Sequence, residues 1–203
     1  MLKPDLITVR RILIPASALV FVVGFLISGL IFFRGKPLDA KAAILSDLAS
    51  PDENPHGYAA SAAAVAISGI LLIPVVSAFF GILASRRKLA WAGAAMFTVG
   101  LSAAIAIGFL APVTHGYSVL HIQLAYAAFM GICGGTLIYL IAARASRIAI
   151  GLQGAVFLWL VYLYVGPDVF DNKTLLTSLA FWEWVLCVNC GVGLWNLAGE
   201  MVE

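Results

Sequence analysis

Asp47, His56, His115, His121 and Glu183 are the imidazole and carboxylate groups that the hydrophobic pattern of this chain directs toward one side of it. Three such groups and a water could hold a zinc ion for hydrolysis. A histidine beside a carboxylate could instead act as a general base with its orienting group. The chain contains no H-E-x-x-H, H-x-x-x-H or G-x-S-x-G string. The five groups stand on four separate segments, so they meet only if folding brings them together. The simplest arrangement pairs His121 with Glu183 or with Gln123, which satisfies polar groups in an apolar interior. A polar site for a lipid or ligand is the next reading and a metal site the last, so no metal and no cofactor is assigned. His121 is the one histidine clearly inside an apolar run, which excludes a haem held by two histidines from different helices.

What must position these groups is an apolar scaffold. Hydrophobic residues make up 63% of the 203-residue chain and charged residues 11%, against roughly 45–50% and about 25% in soluble domains. The mean hydropathy of +1.03 excludes an ordinary water-soluble fold. No strict alternation over about 10 residues signals a membrane barrel. The apolar runs are near-continuous over about 20 residues, the length a helix needs to cross the hydrocarbon. The expected fold is an all-α polytopic membrane protein, a single membrane domain over 1–203. A net charge of +2 with no basic, aromatic-interleaved cluster gives no nucleic-acid partner.

Six spans are expected, at about 12–33, 58–83, 89–110, 118–143, 148–165 and 175–198. The first is too long for a signal-peptide core and lacks a small-residue cleavage site, so it reads as a retained span. Asn54-Pro55 reads as a helix start, and Pro74 as a kink in the second span. Gly24, Ser28 and Gly29 form a small-residue strip on the first span, and Gly131 and Gly135 a G-x-x-x-G pair on the fourth, both suited to close helix packing. Asn189 and Asn196, seven residues apart on the sixth span, share a face and are expected to bond to a neighbouring helix. Cys133, Cys187 and Cys190 all lie in apolar runs; Cys187 and Cys190 form a C-x-x-C inside a helix, which reads as small-residue packing rather than a redox motif. Paired carboxylates and broken helices at the midplane, as in ion-coupled carriers, are missing from the pattern.

Orientation follows from the basic residues. With the N-terminus in the cytoplasm, Lys3, Arg10, Arg11, Arg86, Arg87, Lys88, Arg144 and Arg147 fall inside, and Arg34, Lys36, Lys41 and Lys173 outside. Both termini are then cytoplasmic and the loop 34–57 faces out. Within that loop, 37–50 can form a short amphipathic helix with Leu38, Ala42, Leu45, Leu48 and Ala49 to one side. The plain alternative is a solvated connector with turn chemistry at Ser50-Pro51-Asp52-Glu53.

Ser46-Asp47-Leu48, followed by Pro51, Glu53 and Asn54 and then a small-residue-rich span, resembles the first outer loop of the DRAM and Sfk-like six-helix membrane proteins and their bacterial and archaeal relatives of unknown function. The motif runs from Ile44 to Gly57. Ala49 stands where a glycine is common, Asp52 intervenes between Pro51 and Glu53, and Pro55-His56 replaces the usual aromatic. The resemblance implies a lipid-linked or trafficking role rather than a defined reaction. The expected function is non-enzymatic binding of membrane lipids or a membrane partner through the outer face, with Asp47, His56, His115, His121 and Glu183 as the polar cluster. The alternatives are an accessory subunit of a larger membrane complex and an outer-face metal-dependent lipid hydrolase. Without a retention or organelle signal, the expected location is the plasma membrane.

Overall fold

The computed structural model describes residues 5–36, 45–83, 87–113, 118–165 and 178–201. Among these there is no strand; the architecture is helical throughout. A continuous helix, Leu6–Phe32, opens the chain. It comprises α1 (Leu6–Thr8), a π-helical turn (Val9–Leu13) and α2 (Ile14–Phe32). A short α3 (Leu45–Leu48) precedes five long helices: α4 (Tyr58–Ile82), α5 (Arg87–Leu110), α6 (Val119–Ala143), α7 (Arg147–Val165) and α8 (Leu179–Glu200). Four helices, Leu6–Phe32, Tyr58–Ile82, Lys88–Leu110 and Val119–Ala143, are long and apolar enough to cross a membrane. Their outward positions are large and apolar (Leu19, Leu30, Ile70, Val99 and Val119 are all exposed), as expected where lipid rather than water is the neighbour.

Local chemistry sets the helix ends. The first helix begins at Leu6, before the apolar run expected to span from 12, because the Asp5 carboxylate accepts from the Thr8 N–H at 2.6 Å and caps it. Arg10 and Arg11 therefore lie on a helical turn rather than before the helix. Ser118 caps α6 by accepting from the His121 N–H at 3.2 Å. The helix ends at Arg144, whose φ of 55° places it in the left-handed region that stops helices. Pro74 lies inside α4, which continues unbroken to Ile82. Asn54 does not cap α4: Gly57 holds that position, and the Asn54 side chain turns back toward α2.

Helices α5 and α6 pack most intimately. A Cβ on Gly131 would stand 2.5 Å from the Gly100 Cα, and one on Gly135 would stand 2.7 Å from the Phe97 Cβ, so only glycine lets these backbones approach. On α2, a Cβ at Gly24 would overlap the Ala64 Cβ of α4. Tyr139, Phe79 and Phe97 fill the core nearby, and the Tyr139 hydroxyl donates to the Val76 carbonyl at 3.3 Å.

The opening helix (Leu6–Phe32) and α8 run antiparallel, as contacts of that helix and of α3 along α8 show. Arg10 lies over the Trp195 ring at 5.4 Å, Phe25 meets Trp184 edge-on at 5.6 Å, and α3, which follows α2, meets Glu183. Both described chain ends therefore lie at one end of the bundle and α3 at the other.

Candidate functional site

Leu45 to Asn54 is folded into the end of the bundle. Leu45, Asp47, Leu48, Ala49, Ser50 and Asn54 are all buried. The solvated-connector reading fails for this stretch because backbone polarity here is satisfied by side chains of three long helices. The Leu48 carbonyl accepts from Ser28 Oγ of α2 at 2.8 Å, Ser61 Oγ of α4 at 2.6 Å and Asn54 Nδ2 at 3.2 Å. Asn54 Nδ2 also donates to Ser28 Oγ at 2.8 Å and faces the Ser28 carbonyl at 3.3 Å. At the front of α3, the Leu45 N–H donates to Glu183 Oε2 of α8 at 2.8 Å. Leu45 and Leu48 pack with Phe25 against Phe21, Val65, Phe129 and Trp184. Polar and apolar contacts together make this segment a plug. The start of the amphipathic helix expected at 37–50 lies outside the described residues.

The five candidate groups divide. Asp47 and Glu183 come together, both buried and close enough to influence each other electrostatically. His121 is buried on the first turn of α6 but forms no pair with Glu183, whose bond goes to Leu45; its Nε2 has no hydrogen-bond partner. Gln123, the other partner considered for it, is exposed. His56 is exposed on the turn before α4. His115 lies outside the described residues. Among the described residues, no three His, Cys, Asp or Glu side chains gather as metal ligands would. Of the two asparagines on α8, Asn189 donates to Gln153 Oε1 of α7 at 2.7 Å, whereas Asn196 is exposed.

Beneath the plug lies a cleft of about 440 Å³ between α2, α4, α5, α6 and α8. Phe21, Phe25, Phe129, Trp184, Cys187 and Leu186 give it an apolar wall. Its polar lining is mostly satisfied: Ser17 Oγ donates to the Ser68 carbonyl at 3.1 Å, and Ser68 Oγ returns a bond to the Ser17 carbonyl at 2.9 Å. Cys133 and Cys190 lie on the lining with their sulfurs 2.9 Å apart. Cys190 thus faces α6, not the Cys187 of its own C-x-x-C. His121 also lines the cleft. The exposed lining residues are Ala18 and Val22 on α2 and Val188 and Val192 on α8, so the cleft opens sideways between these helices.

Side-chain types alone do not reveal Ser61, or the second role of Asn54, because the group they hold is a backbone carbonyl. No protein-family model, curated protein or solved structure matches the chain.

Proposed function

We propose that the chain is a six-span membrane protein, with both termini in the cytoplasm, that binds lipid or a membrane partner through its outer face without catalysing a reaction. The observation that carries this is the plug: Leu45, Asp47, Leu48, Ala49, Ser50 and Asn54 are buried over an apolar cleft that opens sideways between α2 and α8. A connector that only joined two helices would have no need of Ser28, Asn54, Ser61 and Glu183 to hold it there. The split of the imidazole and carboxylate groups favours binding over catalysis. Helices α7 and α8 supply the fifth and sixth spans of the alternating path. Arg10, Arg11, Lys88, Arg144 and Arg147 belong to the end opposite the plug, which favours a cytoplasmic assignment for that end. The lipid-linked role implied by the DRAM and Sfk-like resemblance is of the same kind.

A second reading, an accessory subunit of a larger complex, draws on α7, which presents Leu152, Leu158, Trp159 and Tyr162 outward. Native mass spectrometry of protein extracted in mild detergent separates the two. A retained lipid supports the first, a retained second polypeptide the other, and a bare monomer overturns both.

A further inference from the structure

We propose that the cleft takes one acyl chain of an outer-leaflet glycerophospholipid, entering between α2 and α8, with its ester carbonyl hydrogen-bonded to His121. The proposal rests on the lipid-binding reading above and adds its site and its ligand.

Three features of the cleft select this occupant. Its volume of about 440 Å³ falls within the range of roughly 300–1,000 Å³ typical of small-ligand sites. Its mouth is framed by exposed valines at the depth of the helices, so what reaches it comes from the hydrocarbon and not from water. Its length matches one leaflet. His121 and Cys133 mark the two ends of the α6 lining, about 18 Å apart at about 1.5 Å per residue. Half of a hydrocarbon core of about 30 Å is about 15 Å.

The head end is decided by His121. It sits on the first turn of α6, at the plug end of the bundle, where the glycerol esters of a bilayer lie. Its buried Nε2 lacks a partner, and leaving a buried polar group unsatisfied costs free energy that a ligand can return. The ring's torsion about Cβ–Cγ is broad, and rotation about it is the movement that would turn that nitrogen toward the cleft the side chain lines. An ester carbonyl is an acceptor of suitable size at that depth, and the chain attached to it follows the apolar wall down to Cys133 and Cys190. A purely hydrocarbon occupant would leave the imidazole unsatisfied.

The test uses the whole protein in nanodiscs of phosphatidylcholine doped with a phosphatidylcholine that carries a photoreactive diazirine on one acyl chain. After irradiation, adducts are mapped by peptide mass spectrometry. Saturable adducts are expected on Phe129, Trp184 and Cys187, above the level on Leu19 and Leu26, which face outward on α2 and report bulk lipid. Gly191 lines the cleft, and a Cβ there meets nothing within 4 Å, so Gly191→Trp starts from open space and adds its bulk on the cleft wall. That variant should lose the cleft adducts while keeping those on Leu19 and Leu26. His121→Phe should lower them by about five-fold, the scale of one hydrogen bond. Cleft adducts no stronger than those on Leu19, or unchanged in either variant, overturn the proposal. If native mass spectrometry still finds a retained lipid in that case, the broader lipid-binding reading survives alone. If it finds none, that reading falls as well.

Discussion

The Leu45 N–H and the Glu183 carboxylate, 138 residues apart in the chain, meet at 2.8 Å and lock the front of the plug to α8. Glu183 is buried, and so is the amide it accepts from, so neither has water as an alternative partner. Replacing the side chain by an apolar one strands a buried donor, a loss of about 1–3 kcal/mol. Glu183→Leu should therefore speed hydrogen exchange across 45–54 and make the exposed Asp52-Glu53 turn more sensitive to protease. Glu183→Gln keeps an acceptor oxygen and should stay close to the parent in both measurements. Equal behaviour of the two variants would mean that the bond does not hold the plug.

The back of the plug depends on one carbonyl shared by three donors. Asn54 Nδ2 reaches both Ser28 Oγ and the Leu48 carbonyl, whereas Ser61 Oγ serves Leu48 and the carbonyl of Tyr58 on its own helix. Asn54→Ala should then cost more thermal stability in detergent than Ser61→Ala, by about 1 kcal/mol. Ser28→Ala and Asn54→Ala should not add, because each removes part of the same network. An additive double mutant would argue that Asn54 acts through the turn alone.

Between α7 and α8, Asn189 donates to Gln153 Oε1 at 2.7 Å. Gln153 is almost fully buried and its Nε2 has no partner, so loss of Asn189 leaves the whole amide unsatisfied. Asn189→Leu should lower resistance to denaturing detergent by about 0.6–2 kcal/mol, the range for hydrogen bonds between membrane helices. Asn196→Leu, at an exposed position on the same helix, should have little effect.

How much of this the sequence discloses depends on the range of the interaction. Long apolar runs with a serine before them and a basic residue after them were legible: the run read as 118–143 corresponds to α6, Val119–Ala143, bounded by Ser118 and Arg144. The helix that carries the run read as 12–33 begins earlier, at Leu6, and its start at the Asp5 cap ahead of Arg10 and Arg11 rests on a single residue. The candidate site was legible only as residue types. Asp47 and Glu183 were named together, but the partner of Glu183 is a backbone N–H, which carries no side-chain signature. His56, in the polar loop, and His121, inside an apolar run, were placed in one cluster, yet His56 is exposed on a turn while His121 lines the cleft.

The Asp5 cap makes a prediction about pH. Accepting the Thr8 backbone N–H favours the charged form and holds this exposed carboxyl below its ordinary value. A depressed folded-state value means that the cap contributes above the unfolded pKa and is lost as pH falls through the folded one. The Thr8 amide signal should titrate with a midpoint below that of a free aspartate, and the titration should vanish in Asp5→Ala. A midpoint at or above the free value would show that the carboxylate does not cap the helix.

Two glycines on one helix separate close packing from helix propensity. A Cβ at Gly24 would overlap Ala64 and stand 2.8 Å from the Ala60 carbonyl oxygen, whereas a Cβ at Gly29 meets nothing within 4 Å. Gly24→Ala forces α2 away from α4, and overpacking of this kind costs about 1–3 kcal/mol. Gly29→Ala adds no contact and exchanges a poor helix former for the best one, a gain of up to about 1 kcal/mol. The two substitutions should shift the thermal midpoint in detergent in opposite directions. Because Ser28 lies one turn from Gly24, the displacement at Gly24 should also loosen the Ser28 bond to Leu48 and raise exchange in the plug. A Gly24→Ala variant that lost stability with the plug unchanged would show that the α2–α4 contact and the plug are independent.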